Sequence, residues 1–186
     1  MNPPPVEPFW NVPNILSLSR LPLSAALCVC ISLSQWEAAL GVFLVAAITD
    51  WLDGWWARHF QQGTAIGRAL DPLTDKVLVA SVFIFLIPVP EANVAPWMVA
   101  VIVGRELLVT GLRGMVEAMG KKFGADWFGK LKTVLQMSAL IGALLLRAVP
   151  AAAILEPVYL GLLWAAVTAT VGSAVQYTIK AGRLLR

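Results

Sequence analysis

A chain of 186 residues with 59% hydrophobic content, 13% charged residues and a mean hydropathy of +0.76 is too apolar for a soluble domain of this size. It reads as an integral membrane protein. The net charge of +3 suits attraction to anionic lipid and, with no nucleic-acid motif beside it, gives no reason to expect a nucleic-acid partner.

In chain order, residues 3–8 are Pro-rich, and the run Met1-Asn2-Pro3-Pro4-Pro5 has neither the basic start nor the small-residue cleavage site of a signal peptide. Phe9 to Ser19 is expected to form a short interfacial lead into the first span. Apolar segments follow near 14–34, 37–57, 70–90, 95–116, 130–149 and 155–178, each close to the roughly 20 residues that cross hydrocarbon. The expected fold is therefore all-α, with six transmembrane helices and one domain over residues 1–186, since no linker or repeat divides the chain. Arg20, Arg58, Arg68, Lys76, Lys121, Lys122, Lys130, Lys132, Lys180, Arg183 and Arg186 fall near one side, and only Glu37, Glu91, Glu156 and Arg147 near the other. By the positive-inside rule both termini and the loops 58–69 and 117–130 are cytoplasmic. Trp10, Trp36, Trp97 and Trp127 sit near span ends, as interfacial tryptophans do. Cys28 and Cys30 lie inside the first apolar segment with no metal-ligand array and read as packing residues.

The chemistry is concentrated between Asp50 and Asp75. At 100° per residue Asp50, Asp53, Gly54 and Ala57 share one helix face, and Gly67, Asp71 and Asp75 share a face of the next helix. Two helices can thus converge four carboxylates, each worth roughly 2.5–3.5 kcal/mol of insertion penalty at the helix centre, so the cluster needs cations and marks function. Hard oxygen ligands without Cys or His suit Mg2+ or Mn2+, and four carboxylates can hold two ions about 3.5–4 Å apart to clamp a phosphoryl displacement. His59, the nearest histidine, reads as a solvated loop residue. Gly54, Ala57 and Gly67 remove side-chain bulk, so that a nucleotide diphosphate can approach the backbone, with Arg58 and Arg68 placed to pair with its oxygens. The plainer alternative is that the aspartates decorate helix ends. Asp50 and Asp75 speak against it, because Asp50 lies about 12 Å along its helix before Arg58 and Asp75 similarly deep after Arg68.

The run Asp50-x2-Asp53-Gly54-x2-Ala57-Arg58-x8-Gly67-x3-Asp71-x3-Asp75 resembles the signature of the CDP-alcohol phosphotransferases, eight fixed positions over 26 residues. The resemblance implies a six-span membrane enzyme, commonly a homodimer, that moves a phosphatidyl or related group from a CDP-linked donor to an alcohol and releases CMP. It further implies that Asp50, Asp53 and Asp71 bind metal and that Asp75 contributes to the metal site and acts as general base; Gly54, Ala57, Arg58 and Gly67, read above from their bulk and charge, are then the expected CDP-donor site. The implied location is a bacterial inner membrane, crossed several times, with the active site toward the cytoplasm.

Asn11-Val12-Pro13-Asn14-Ile15-Leu16-Ser17-Leu18-Ser19-Arg20, Gly104-Arg105-Glu106-Leu107 with Gly111-Leu112-Arg113, and Gly129-Lys130-Leu131-Lys132-Thr133 with Gln136 resemble the bacterial phosphatidylglycerophosphate-forming branch of that family. That branch takes the phosphatidyl group of CDP-diacylglycerol to glycerol 3-phosphate. Physical reading is compatible. Arg105 lies about nine residues into a span and needs an anionic partner; Glu106 points about 100° away, which leaves a ligand or the aspartate cluster as candidates. Arg105, Arg113, Lys130 and Lys132 are the expected acceptor-phosphate pocket, although Lys130 and Lys132 are 200° apart and only one is expected to face it. For the lysines, topology and headgroup contact explain the charge equally well. Serine, inositol phosphate or a phospholipid headgroup are the rival acceptors. A cation transporter is the rival of another class, but it would need carboxylates toward both faces, whereas all four aspartates lie toward one.

Overall fold

The computed structural model describes the backbone of residues 11–59, 65–121, 123–124 and 127–184, and their side chains apart from those of 12, 13, 51, 53, 54, 57, 58 and 65–72. Six long helices follow one another: α1 (Val12–Ser32), α2 (Trp36–His59), α3 (Ala65–Leu86), α4 (Pro96–Ala118), α5 (Trp127–Ala148) and α6 (Glu156–Leu184). Short 3-10 turns, Pro90–Ala92 and Pro150–Leu155, precede α4 and α6, and no strand occurs among the described residues. Three stretches of the described chain are long and apolar enough to cross a membrane: Asn14–Ser32, Trp127–Ala148 and Pro150–Leu184. The described residues are thus all-helical, and the long apolar helices are those of a membrane protein.

Helix boundaries follow local chemistry. Asn11 caps α1 by accepting a hydrogen bond from the Asn14 amide at 2.9 Å, and a proline early in the first turn gives up an amide that would lack a partner anyway. The interfacial lead expected up to Ser19 runs without a break into the first span, because α1 is continuous from Val12; residues 9 and 10 lie outside the described ones. Helix α3 starts at Ala65, earlier than the apolar run near 70, and ends at Leu86 ahead of Pro88 and Pro90. Hydropathy marks where lipid begins; hydrogen bonding carries the helix beyond it. The loop expected at 58–69 is correspondingly shorter, with α2 reaching His59. Trp36, Trp97 and Trp127 all fall in the first two residues of their helices, the positions an interfacial belt requires. Trp10 lies outside the described residues.

The chain divides into two compact units, residues 1–82 and 83–186. In the first, α1 packs along α2, joined by a turn of three residues in which Ser34 takes a positive φ of 55° and the Gln35 amide closes onto the Cys30 carbonyl at 2.8 Å. The buried stripe of α1 changes character along its length. Asn14, Ser17, Arg20 and Ser24 are buried in its first half, Leu27 and Ile31 in its second. Ile15, Leu21, Val29 and Leu33 face outward, the arrangement lipid favours. Cys28 and Cys30 are free thiols at half-buried positions of this helix.

In the second unit α4 and α5 both pack on α6. Val109, Val116, Phe123, Tyr177 and Ala181 form a buried cluster, and the segment after α4 is tied to the end of α6 by Lys121 donating to the Leu184 carbonyl and Lys180 donating to that of Gly124 at 3.1 Å. Tyr159, 2% exposed and hydrogen-bonded to the Ala92 carbonyl, leans on Gly142, where an added Cβ would stand 3.1 Å from its ring. Gly142→Val is therefore expected to lower the melting temperature in detergent, with a cost of about 1–3 kcal/mol from overpacking. Gly161→Val, at a position with nothing within 4 Å, should stay within about 0.5 kcal/mol of the parent; equal losses for the two would refute this reading of the α5–α6 contact.

Candidate active site

Two polar clusters stand out, one in each unit. The first is assembled by α1, α2 and α3 around Arg20, whose side chain is 0% exposed. Its Nη1 donates to Oδ1 of Asp50 at 3.0 Å, to Oδ1 of Asp75, and more weakly to Oγ1 of Thr74 at 3.4 Å. One guanidinium nitrogen thus joins the first and last aspartates of the motif, contributed by successive helices. The anions are open where the cation is closed: the Asp50 and Asp75 side chains are 50% and 45% exposed. A buried arginine is tolerated only with partners of this kind, and the rest of the polar stripe on α1 lines up with it.

Asp53, Gly54, Ala57 and Arg58 belong to the backbone of α2, and Gly67, Arg68 and Asp71 to that of α3; their side chains lie outside the described ones. Helical backbone through both stretches gives the 3.6-residue spacing that the shared faces assume. His59 closes α2, exposed, with its ring stacked on Trp55 at 5.0 Å between centroids.

Arg20 is the residue that sequence reasoning missed. Charge bias alone places it among the topological cations, yet Asn14, Ser17, Arg20 and Ser24 recur every three or four residues, and that polar stripe inside an apolar helix is the available signal.

The second cluster lies between α4, α5 and α6. Arg105 Nη1 donates to both oxygens of Glu106, at 3.0 and 3.2 Å, and Nη2 donates to Ser173 Oγ at 2.6 Å. Its guanidinium also lies over the Tyr177 ring, 5.3 Å from the centroid. Lys132 pairs with the same Glu106, and one helical turn along α5 Gln136 donates to Thr170 at 2.9 Å. The expectation that Glu106 points away from Arg105 is thereby corrected. The 100° rule describes where the Cα–Cβ bonds start, and two long side chains on a buried face bend to meet.

Of the two lysines, Lys132 is buried at 7% exposure and Lys130 is exposed. Arg113 is half-buried, with its Nε enclosed and without a hydrogen-bond partner among the described residues. No hydrogen bond or ion pair among the described residues joins Arg113 or Lys130 to the Arg105–Glu106–Lys132 group. Glu106 was not foreseen as part of any site.

No group of three metal-ligating side chains occurs among the described residues. Asp50 and Asp75, drawn together and half open, nevertheless supply the hard oxygen donors that a divalent cation takes, so the residues present fit such an ion.

Comparison with known proteins bears on the same residues. The family model for CDP-alcohol phosphatidyltransferase matches residues 10–172, which takes in Arg20, Asp50, Thr74 and Asp75 of the first cluster and Arg105, Glu106, Lys132, Gln136 and Thr170 of the second. A CDP-diacylglycerol–glycerol-3-phosphate 3-phosphatidyltransferase of Bacillus subtilis is 35% identical over 92% of this chain and 95% of its own. Proteins of the same name from Escherichia coli K12 and Salmonella choleraesuis are 39% and 38% identical, each over 70% of this chain and 75% of their own. With the motif, the helical architecture and a match that spans most of its length, the chain belongs to the CDP-alcohol phosphatidyltransferase family.

Proposed function

We propose that the protein transfers the phosphatidyl group of CDP-diacylglycerol to glycerol 3-phosphate, forming phosphatidylglycerophosphate and CMP. The observation that carries this reading is the union of Asp50 and Asp75 on Arg20, in a chain that the CDP-alcohol phosphatidyltransferase model matches over residues 10–172. The relatives' shared name supplies the acceptor. A buried Arg105 and Lys132 give a phosphorylated acceptor a reason to be chosen over free serine.

In this reading Asp50, Asp53, Asp71 and Asp75 hold divalent cations, Mg2+ or Mn2+ and two in number. When bound, they supply positive charge to the donor diphosphate. Gly54, Ala57 and Gly67 let the cytidine diphosphate approach α2 and α3, and Arg58 pairs with its oxygens. The acyl chains stay in lipid. Arg105 and Lys132 hold the acceptor phosphate, assisted by Arg113, while Lys130 serves topology and headgroup contact. Asp75 takes the proton of the sn-1 hydroxyl, whose oxygen forms a bond to the phosphorus bearing diacylglycerol as the bond from that phosphorus to the CMP oxygen breaks. Both substrates are held together, so no covalent enzyme intermediate is needed. Each of α1 to α6 is a membrane span, both termini and the active site face the cytoplasm of a bacterial inner membrane, residues 1–186 act as one domain, and the enzyme is a homodimer.

The test is CMP release by purified, detergent-solubilised protein given CDP-diacylglycerol and Mg2+, with glycerol 3-phosphate, serine or inositol phosphate in parallel. Release is expected with glycerol 3-phosphate alone, and chelator should abolish it. Stimulation by another acceptor would overturn the branch and keep the chemistry.

A further inference from the structure

We infer that Arg20 is a resident counter-cation: it holds the signature carboxylates together when no divalent ion is bound, and yields them when one arrives. The inference rests on the proposed metal-binding role of Asp50 and Asp75. Its basis is the asymmetry of the cluster. Arg20 is sealed at 0% exposure among α1, α2 and α3, whereas the carboxylates it joins are about half exposed, so an incoming cation meets the anions on their open side. A guanidinium keeps its charge at any accessible pH, and several donors in a fixed fork can shift among oxygens without leaving the site. Two carboxylates drawn to one nitrogen repel each other once that charge is removed. Arg20 therefore does for the empty site what a metal ion does for the loaded one. Its role is positioning rather than catalysis.

Thermal melting in detergent tests this, with the protein stripped by EDTA and then titrated with Mn2+. Arg20→Gln is expected to melt several degrees below wild type in EDTA, and to recover most of that deficit in Mn2+, so that its metal-induced rise is at least twice that of wild type. Arg20→Lys, which keeps one charge but loses the fork, should fall between them; it carries the same comparison if Arg20→Gln does not fold. An equal deficit with and without Mn2+ in the variants overturns the inference, since lost packing alone behaves that way. Absence of any Mn2+-induced rise in wild type would instead overturn the metal reading itself, and the inference with it.

Discussion

Asp75→Asn should retain CDP-diacylglycerol binding and lose turnover by about 10²–10⁴-fold, the range that a positioned general base contributes. The substitution keeps the size and one oxygen of the side chain, so the contact can persist as a hydrogen bond from the charged Arg20 Nη1 to an uncharged amide oxygen. What it removes is the ability to accept the proton of the acceptor hydroxyl. The measurement is kcat for CMP release at saturating glycerol 3-phosphate and Mg2+, alongside equilibrium binding of the donor. Near-normal kcat would remove Asp75 from the base role. Loss of donor binding together with kcat would mean that its main work is metal coordination. Asp50→Asn is the natural comparison, because the same arginine holds it and the proposed mechanism gives it no proton to move.

The second large effect separates two lysines two residues apart. Lys132→Ala is expected to raise the KM for glycerol 3-phosphate by roughly 10–100-fold, consistent with about 1.5–3 kcal/mol for a hydrogen bond to a charged group. Lys130→Ala should change it by less than about threefold. Lys132 is buried and paired with Glu106, whereas Lys130 is exposed on the same helix. Removing Lys132 also leaves Arg105 as the only cation on Glu106 among the described residues, which directs the remaining guanidinium charge toward the carboxylate and away from a phosphate. A larger effect at Lys130 than at Lys132 would reverse the assignment of the acceptor pocket.

Much of the architecture was readable in advance because lipid imposes a simple pattern. Each of the six apolar segments became a helix, and the tryptophans expected at the ends of α2, α4 and α5 are there. The boundaries were less readable where helix and apolar run part company, as at Ala65, since backbone hydrogen bonding continues through polar residues that hydropathy rejects. At the site, the spacing of the aspartates announced carboxylates on two adjacent helices, and Asp50 and Asp75 do meet. What held them was hidden. Near the start of a span, an arginine that sets topology and one that fills an ionic cluster look alike in sequence, and only the inward stripe of Asn14, Ser17 and Ser24 distinguishes Arg20. Glu106 was hidden for a different reason: directions taken from Cβ positions fail for side chains long enough to turn back on their neighbours.

The three-residue turn between α1 and α2 also bears on how the chain is made. Synthesis at about 5–20 residues per second brings out Asp50 roughly 1.5–6 seconds after Arg20, and the short connection lets α2 fold back along α1 as soon as it emerges. The arginine thus meets Asp50 before α3 exists, and Thr74 and Asp75 only as α3 follows. The order of synthesis is thus the order of pairing: a nascent chain halted after α2 already carries the Arg20–Asp50 pair that one halted after α1 lacks.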